Sequence, residues 1–359
     1  MDTITHMVAG ALTPLAFKNA PKTRMLTLFG IVCGEFPDID ILAGKSPEAL
    51  LSFHRGITHA IVMQPVFAFV LALAFHWSLK KSDTKGEWTF ARTWSVALLA
   101  LLIHLFLDCM TTFGTQIFLP FSGYRVALPA MYIIDLAMTL PLLALWFILL
   151  KRGGNATPDE KRTFPARAGL VWILCYPLLC LGINYAATAS LAERYAAQGN
   201  ALGISRIELS PEPFAPLNWK VVGVADGEYH MARLFVPSPG NLLHFTPYPR
   251  LSPSLWRKLC ETEPLFRIYD NFTTYPVQGD FQEQDGTTVY TFRDVRYEAT
   301  LPRLMKRVGR DDGIFLMQVR MAPGGELLAH RFLHRGRDAA ATPWKPFANA
   351  TPAQPEPTL

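Results

Sequence analysis

Glu35-Phe36-Pro37-Asp38-Ile39-Asp40 and, after a short loop, His54-Arg55-Gly56-Ile57-Thr58-His59 decide how this chain is read. The two stretches supply three carboxylates and two imidazoles, with apolar, helix-like sequence on either side. Ionisable groups in such surroundings are costly unless they have partners, so their clustering points to a shared one. Imidazole with carboxylate is a typical donor set for zinc or another transition metal.

Working outward, residues 5–17 and 25–36 are short apolar segments joined by the basic loop 18–24. Each is ~12 residues, too short to cross ~30 Å of hydrocarbon at ~1.5 Å per residue. They either extend at their ends or form a hairpin packed partly into the bilayer. Downstream, residues 58–77, 93–110, 131–150 and roughly 168–190 approach the ~20 residues of a transmembrane helix. Pro65, Pro141 and Pro177 fall inside three of them, as membrane helices tolerate. The loops 18–24, 78–92 and 151–167, with the residues at their edges, carry twelve basic residues. The alternate loops, 37–57 and 111–130, hold only Lys45, Arg55 and Arg125. The positive-inside rule puts the first set in the cytoplasm. The ionisable residues Asp2, His6, Glu35, Asp38, Asp40, His54, His59, His104, Asp108 and Asp135 then all reach the outer face.

The chain has 359 residues, of which half are hydrophobic and 18% charged, with a formal charge of +5. The expected fold class is mostly α: a polytopic helical membrane domain over 1–192 with a C-terminal α+β extramembrane domain over 193–338. A proline-rich, disordered tail is expected over 339–359. Val221–Ala225, Asp226-Gly227 and Tyr229–Val236 read as strand, turn and strand. Thr287–Tyr297 and Ile314–Met321 alternate as strands do, Gly324-Gly325 suits a hairpin turn, and Ser252-Pro253 suits a helix start. Six crossings with an outer N-terminus put this domain outside the cytoplasm. The N-terminus lacks a basic region ahead of its apolar run and reads as retained. No basic-aromatic stripe suggests nucleic acid as a partner. The five cysteines have no zinc-finger spacing, and Cys33, Cys109, Cys175 and Cys180 lie in apolar segments as small hydrophobes.

His104 and Asp108, four apart, share one helix face. The bland reading is a His–Asp pair that only joins helices. The other clusters on the same face favour a metal site held by His6, Asp38, His54, His59, His104 and Asp108. Pro37 is expected to end a helix and leave Asp38 and Asp40 extended, pointing to opposite sides. One then touches metal and the other orients a histidine. Glu35 or Asp40 would manage protons, and a solvated loop carboxylate is the plain alternative for each. Arg55 suits an anionic substrate group or, equally, a lipid headgroup. His59 is expected in the first turn of a helix capped by Thr58. His76 reads as an interfacial histidine. His230, His244, His330 and His334 read as ordinary surface residues.

Thr5-His6, Gly34-x-x-Pro37-Asp38-Ile39-Asp40, His54-Arg55-Gly56-x-Thr58-His59 and His104-x-x-x-Asp108 together resemble the YdjM-like family. Gly114-Thr115-Gln116, Leu119-Pro120-Phe121 and Ile133-Ile134-Asp135 extend the likeness over roughly residues 1–150. Leu136 departs from it, since a proline often follows that aspartate. The resemblance implies a bacterial inner-membrane protein and a metal-dependent hydrolase. A more distant likeness to zinc-dependent phospholipase C proteins implies zinc and phosphoester chemistry. The expected activity is hydrolysis of an ester by metal-activated water, with a phosphoester of a lipid or other amphiphilic substrate first. A non-catalytic metal-binding scaffold or an ion-coupled transporter is the alternative. The absence of ionisable residues along the inner halves of the segments from 58 to 150 favours the enzyme. A third reading makes the outer domain the working part and the membrane half its anchor.

Overall fold

A computed structural model describes residues 1–43, 46–153, 158–197, 199–236, 243–284, 286–298, 300, 313–335 and 339–348. The first half is helical: α1 (Thr3–Leu15), α2 (Arg24–Glu35), α3 (Pro47–Phe53), α4 (Gln64–Lys80), α5 (Phe90–Cys109), α6 (Leu136–Lys151) and α7 (Asp159–Ala197). Short 3-10 helices at Phe36–Ala43, Ile57–His59 and Ile61–Met63 fill the space between α2 and α4. About half of the chain is helix, so "mostly α" fits only the first half. The second half is dominated by antiparallel sheets.

Among the described residues, three stretches are long and apolar enough to cross a membrane: Ile61–Lys80, Phe90–Cys109 and Asp159–Ala197. The helix Leu136–Lys151 is apolar but shorter. At 13 and 12 residues, α1 and α2 are only ~20 Å long and do not cross by themselves. They form the tightly packed hairpin of the two options. A Cβ on Gly10 would fall 2.3 Å from the Gly30 carbonyl oxygen, and one on Gly34 would fall 2.6 Å from that of His6. Glycine is therefore required where the helices cross. The core around this hairpin is apolar, with Leu12, Leu26, Phe29, Ala97, Leu101 and Leu142 buried together.

Several sequence-based boundaries shift for local reasons. Pro65 lies in the first turn of α4, where its fixed φ favours a start, so the helix begins after His59. His59 therefore sits in a 3-10 turn, and Thr58 is not the cap of α4. Asp135 is the N-cap of α6, accepting a hydrogen bond from Met138 N at 3.1 Å, so residues 131–135 precede the helix. Helix α7 has 39 residues, ~58 Å, and continues past the expected domain boundary at 192. Its far end packs Leu191 against the first sheet.

That sheet has order β1 (Arg206–Pro211), β2 (Asn218–Val224), β3 (Glu228–Phe235), β4 (Thr246–Pro249). The expected turn at Asp226-Gly227 joins β2 to β3, with Gly227 at φ +78°. Helices α8 (Pro253–Thr262) and α9 (Pro264–Phe272) follow. Ser252 holds the N-cap position of α8, but its hydroxyl pairs with Ser254 instead of capping. The second sheet runs β5 (Pro276–Gln284), β6 (Thr287–Asp294), β7 (Ile314–Met321), β8 (Leu327–Arg335), β9 (Lys345–Pro346). The start of the expected disordered tail is thus built into the sheet. β9 pairs with β8, and Phe347 is buried beside Phe266 because an aromatic ring repays burial. Residues 349–359 lie outside the described residues.

The C-terminal domain sits on the helical half at the His/Asp end. Leu51 of α3 and Phe113 join a core with Phe266, Phe272 and Phe315. Arg296 donates to the Thr112 carbonyl at 2.8 Å and to that of Phe272. At the opposite end the loops after α1, α4 and α6 meet. Asn19 bonds Glu87 at 2.7 Å, Lys85 at 2.9 Å and Asp159 at 2.7 Å.

Candidate metal centre

Three features of the fold bring the site together. Helix α5 carries His104 and Asp108 on one buried face. The α1–α2 crossing sets Gly34 and His6 beside them. The chain after α2 does not become extended: it tightens into the 3-10 helix Phe36–Ala43, whose first turn accepts Pro37. Asp38 and Asp40 therefore do not point to opposite sides: both reach His59, Asp38 at Nε2 and Asp40 at Nδ1, and both come close to His54. Asp38 faces His59 and His104, and Asp40 faces His54.

Four donor atoms converge. His59 Nε2 lies 3.1 Å from His104 Nε2, 3.2 Å from Asp108 Oδ2 and 3.5 Å from Asp38 Oδ1. His104 Nε2 lies 3.5 Å from Asp108 Oδ2 and 3.7 Å from Asp38 Oδ1. A tetrahedral ion with bonds of ~2.1 Å has ligand–ligand edges of about 3.4 Å, so these separations fit one. His104 Nδ1 donates to the Gly34 carbonyl at 2.6 Å, which leaves Nε2 a bare lone pair. Asp40 Oδ2, 3.4 Å from His59 Nδ1, favours the same tautomer there. Two bare nitrogens at 3.1 Å repel unless a proton or cation lies between them. Asp108 Oδ2 is buried without a hydrogen-bond partner, a further acceptor facing the same point. Asp38, His59, His104 and Asp108 are thus able to hold a divalent metal ion. Asp38 also belongs to a second group, with Asp40 and His54, so one carboxylate links the two.

Other sequence candidates surround these four. His6 is buried, stacks on His104 at 3.8 Å and lies 3.1 Å from Asp108 Oδ1, outside the group of four. The Met1 amino group also meets Asp108 Oδ1. His54 Nδ1 is 3.0 Å from Asp40 Oδ1. Asp40 Oδ2 accepts from Arg55 N at 2.9 Å and from the Thr58 hydroxyl at 3.0 Å, tying both histidine segments together. Arg55 points inward: its guanidinium reaches Asp108 Oδ1 at 3.0 Å and Thr111 Oγ1 at 2.8 Å. It neutralises Asp108 instead of facing solvent. Glu35 ends α2, with Oε1 buried and unpartnered.

The electrostatics follow from burial and hydrogen bonding. Burial works against the charged form of Asp38 and Asp40, but hydrogen bonds from His59 and, for Asp40, from His54 hold both below the usual carboxylate range. Burial would lower His59, yet Asp108, Asp38 and Asp40 push it up to about 10. Burial, with Asp38 and Asp2 close by, pushes Glu35 up to about 7. His76 stays apart, bonded to Thr93 at 2.9 Å. His230 and His330 are buried inside the C-terminal domain, not on its surface. Cys33, Cys109 and Cys180 are buried free thiols, whereas Cys175 is exposed.

Sequence reading missed the part played by Gly34, whose carbonyl orients His104 and whose missing side chain admits α1. The signal was the Gly30-x-x-x-Gly34 spacing, a close-packing pattern in membrane helices. Thr111, which in the sequence reads equally as a pocket residue after Asp108 or as plain loop polarity, holds Arg55.

The YdjM inner membrane protein family matches residues 1–191, the half that builds this site. The chain belongs to that family. The Uncharacterized protein YfhP of Bacillus subtilis (strain 168) is 28% identical over 162 residues, covering 41% of this chain and 46% of its own length. The chain thus spans about half the length of that relative. No solved structure matches significantly.

Proposed function

We propose that the chain is a multi-pass, metal-dependent hydrolase of the inner membrane, with a zinc-like ion and its C-terminal domain on the periplasmic side. The observation that carries this reading is the meeting of four donor atoms, three of them on buried side chains, with oriented lone pairs. Asp38, His59, His104 and Asp108 would hold a divalent cation, which would supply Lewis acidity for activating water near neutral pH. Asp40 fixes the His59 ring, and Arg55 balances the charge of Asp108. Glu35, with a pKa lifted to about 7, takes or gives a proton at Oε1.

An ester of an amphiphile, first a phosphoester, is the preferred substrate. Ile41, Leu42, Phe53 and Phe121 are exposed on the loops around the site, an apolar rim suited to the lipid boundary. The apolar core beneath the site favours an enzyme over an ion path to the basic end. The test is a screen of metal-loaded protein against phosphoesters, lipids and acyl esters, with His104→Ala as control. Turnover that needs both metal and His104 is expected; no turnover of any ester by protein with full metal occupancy removes the enzyme reading. Alkaline phosphatase fused after residue 197 should be active, and an expressed but inactive fusion would invert the topology.

A further inference from the structure

A second feature lies beside the His/Asp cluster and is used by none of the roles above. A cavity of about 700 Å³ opens between the loop after α5, α3 and the end of α9. The helical half lines it with Leu51, Phe113, Gln116 and Arg125; the C-terminal domain adds Phe272 and Arg296. Among the described residues its lining holds two arginines and no carboxylate. Arg296 is neutralised by Asp294 at 2.8 Å. Arg125 has no carboxylate within ion-pair distance among the described residues. It donates to the carbonyls of Leu51 at 2.5 Å and Gly114 at 3.4 Å, and stands 5.9 Å from the ring centres of both Phe113 and Phe272. Burial first, then the neighbouring cations Arg55 and Arg296, work against its charge, which an anion placed beside it would offset.

A half-buried guanidinium held by carbonyls and ring faces is preorganised yet uncompensated. Ser52, Asn271 and Thr274, with hydroxyl and amide side chains, line the same cavity, more donors than a planar carboxylate would use. The Gln116 Oε1 atom is buried and unpartnered, a place for a hydroxyl of the ligand. Phe113 forms the partition: the same ring meets His54 at 5.3 Å and the Arg55 guanidinium at 5.1 Å.

We propose that this cavity binds a phosphate group through Arg125, in a pocket that the helical half and the C-terminal domain complete together. The proposal deepens the hydrolase reading by naming the anchor of its substrate, and rests on that reading only in taking the anchored ligand to be the substrate. The part of the chain outside the family match thereby sets ligand choice.

The test is isothermal titration of the full chain, in a neutral maltoside detergent, with inorganic phosphate and glycerol 3-phosphate. Metal-loaded and chelator-treated protein should bind alike. Arg125→Gln should weaken binding at least about tenfold, the loss of a charge-assisted contact. Because Arg125 also braces Leu51 and Gly114, Asn271→Trp provides a second arm: it obstructs the exposed rim with Arg125 in place and should weaken binding similarly. Wild-type affinity in both variants, or binding that disappears with the metal, overturns the proposal. Ester turnover without any phosphate binding sinks the anchor and spares the hydrolase; binding without turnover does the reverse. Nanodiscs of phosphatidylglycerol that lower phosphate affinity, relative to phosphatidylcholine, identify a lipid headgroup as the source. Equal affinity in the two supports a soluble phosphoester.

Discussion

The two ends of the helical half handle charge in opposite ways. At the basic end, Asn19, Lys85, Glu87 and Asp159 bond one another in contact with water. Surface pairs of this kind are worth ~0–1 kcal/mol. At the other end, Asp108, His59 and His104 are fully buried, and each polar atom is spoken for by a neighbour or faces the convergence point. Removing one partner there leaves its mate charged and dry. The contrast sets apart the His/Asp end as the one where polar groups were costly to bury and where four donors could hold a metal ion.

The strongest attempt to break this contrast is Asp108→Ala. It strands Arg55 and removes one of four donors, so stability should fall by ~3–5 kcal/mol in chemical denaturation, and bound metal should drop to background by elemental analysis. A variant as stable and as metal-rich as wild type would end the distinction between the two ends. Next is Gly34→Val, which changes no donor. Its side chain would drive α1 from α2, costing ~1–3 kcal/mol and lowering metal content through displaced His6 and His104.

The third sharpens the electrostatics. In the metal-free protein His59 stays protonated up to about pH 10, so a metal ion must displace that proton. Affinity should rise with pH by about tenfold per unit below that point, with about one proton released per ion in calorimetry across buffers. Asp135 gives a smaller effect of known sign. Burial raises it to about 6, against the hydrogen bonds from Met138 N and the Tyr176 hydroxyl. Its folded form binds a proton more tightly than its unfolded form, so its contribution to stability falls as pH rises from about 4 to 6 and is flat above that. Asp135→Asn keeps an N-cap and should remove that slope in denaturation curves taken across the window. Smallest of all, Lys85→Ala at the basic end should change stability by less than ~1 kcal/mol and leave metal content unchanged.

Much of this was legible in the sequence because its periods are simple. The four-residue spacing of His104 and Asp108 needs only helical geometry to share a face. The basic loops read correctly as one set because charge avoids hydrocarbon, and they do meet at one end. The turn at Asp226-Gly227 followed from glycine's access to positive φ. What failed was local: Pro37 and Pro65 were each compatible with more than one backbone path, and packing chose. Arg55, lying beside the site, suits an anionic group or a lipid headgroup by sequence alone; its partner in the structure, Asp108, lies 53 residues away.

The sequence by itself determined the donor types and their grouping: imidazoles and carboxylates, gathered by apolar segments at one end of the helical half. Those facts depend on composition and period, which are local. Only the tertiary structure decided which donors converge, which way each lone pair points, and that Arg125, beside the C-terminal domain, meets no carboxylate among the described residues. Those facts depend on close approach between distant segments, above all the glycine crossing of α1 and α2, and no local pattern specifies such distances.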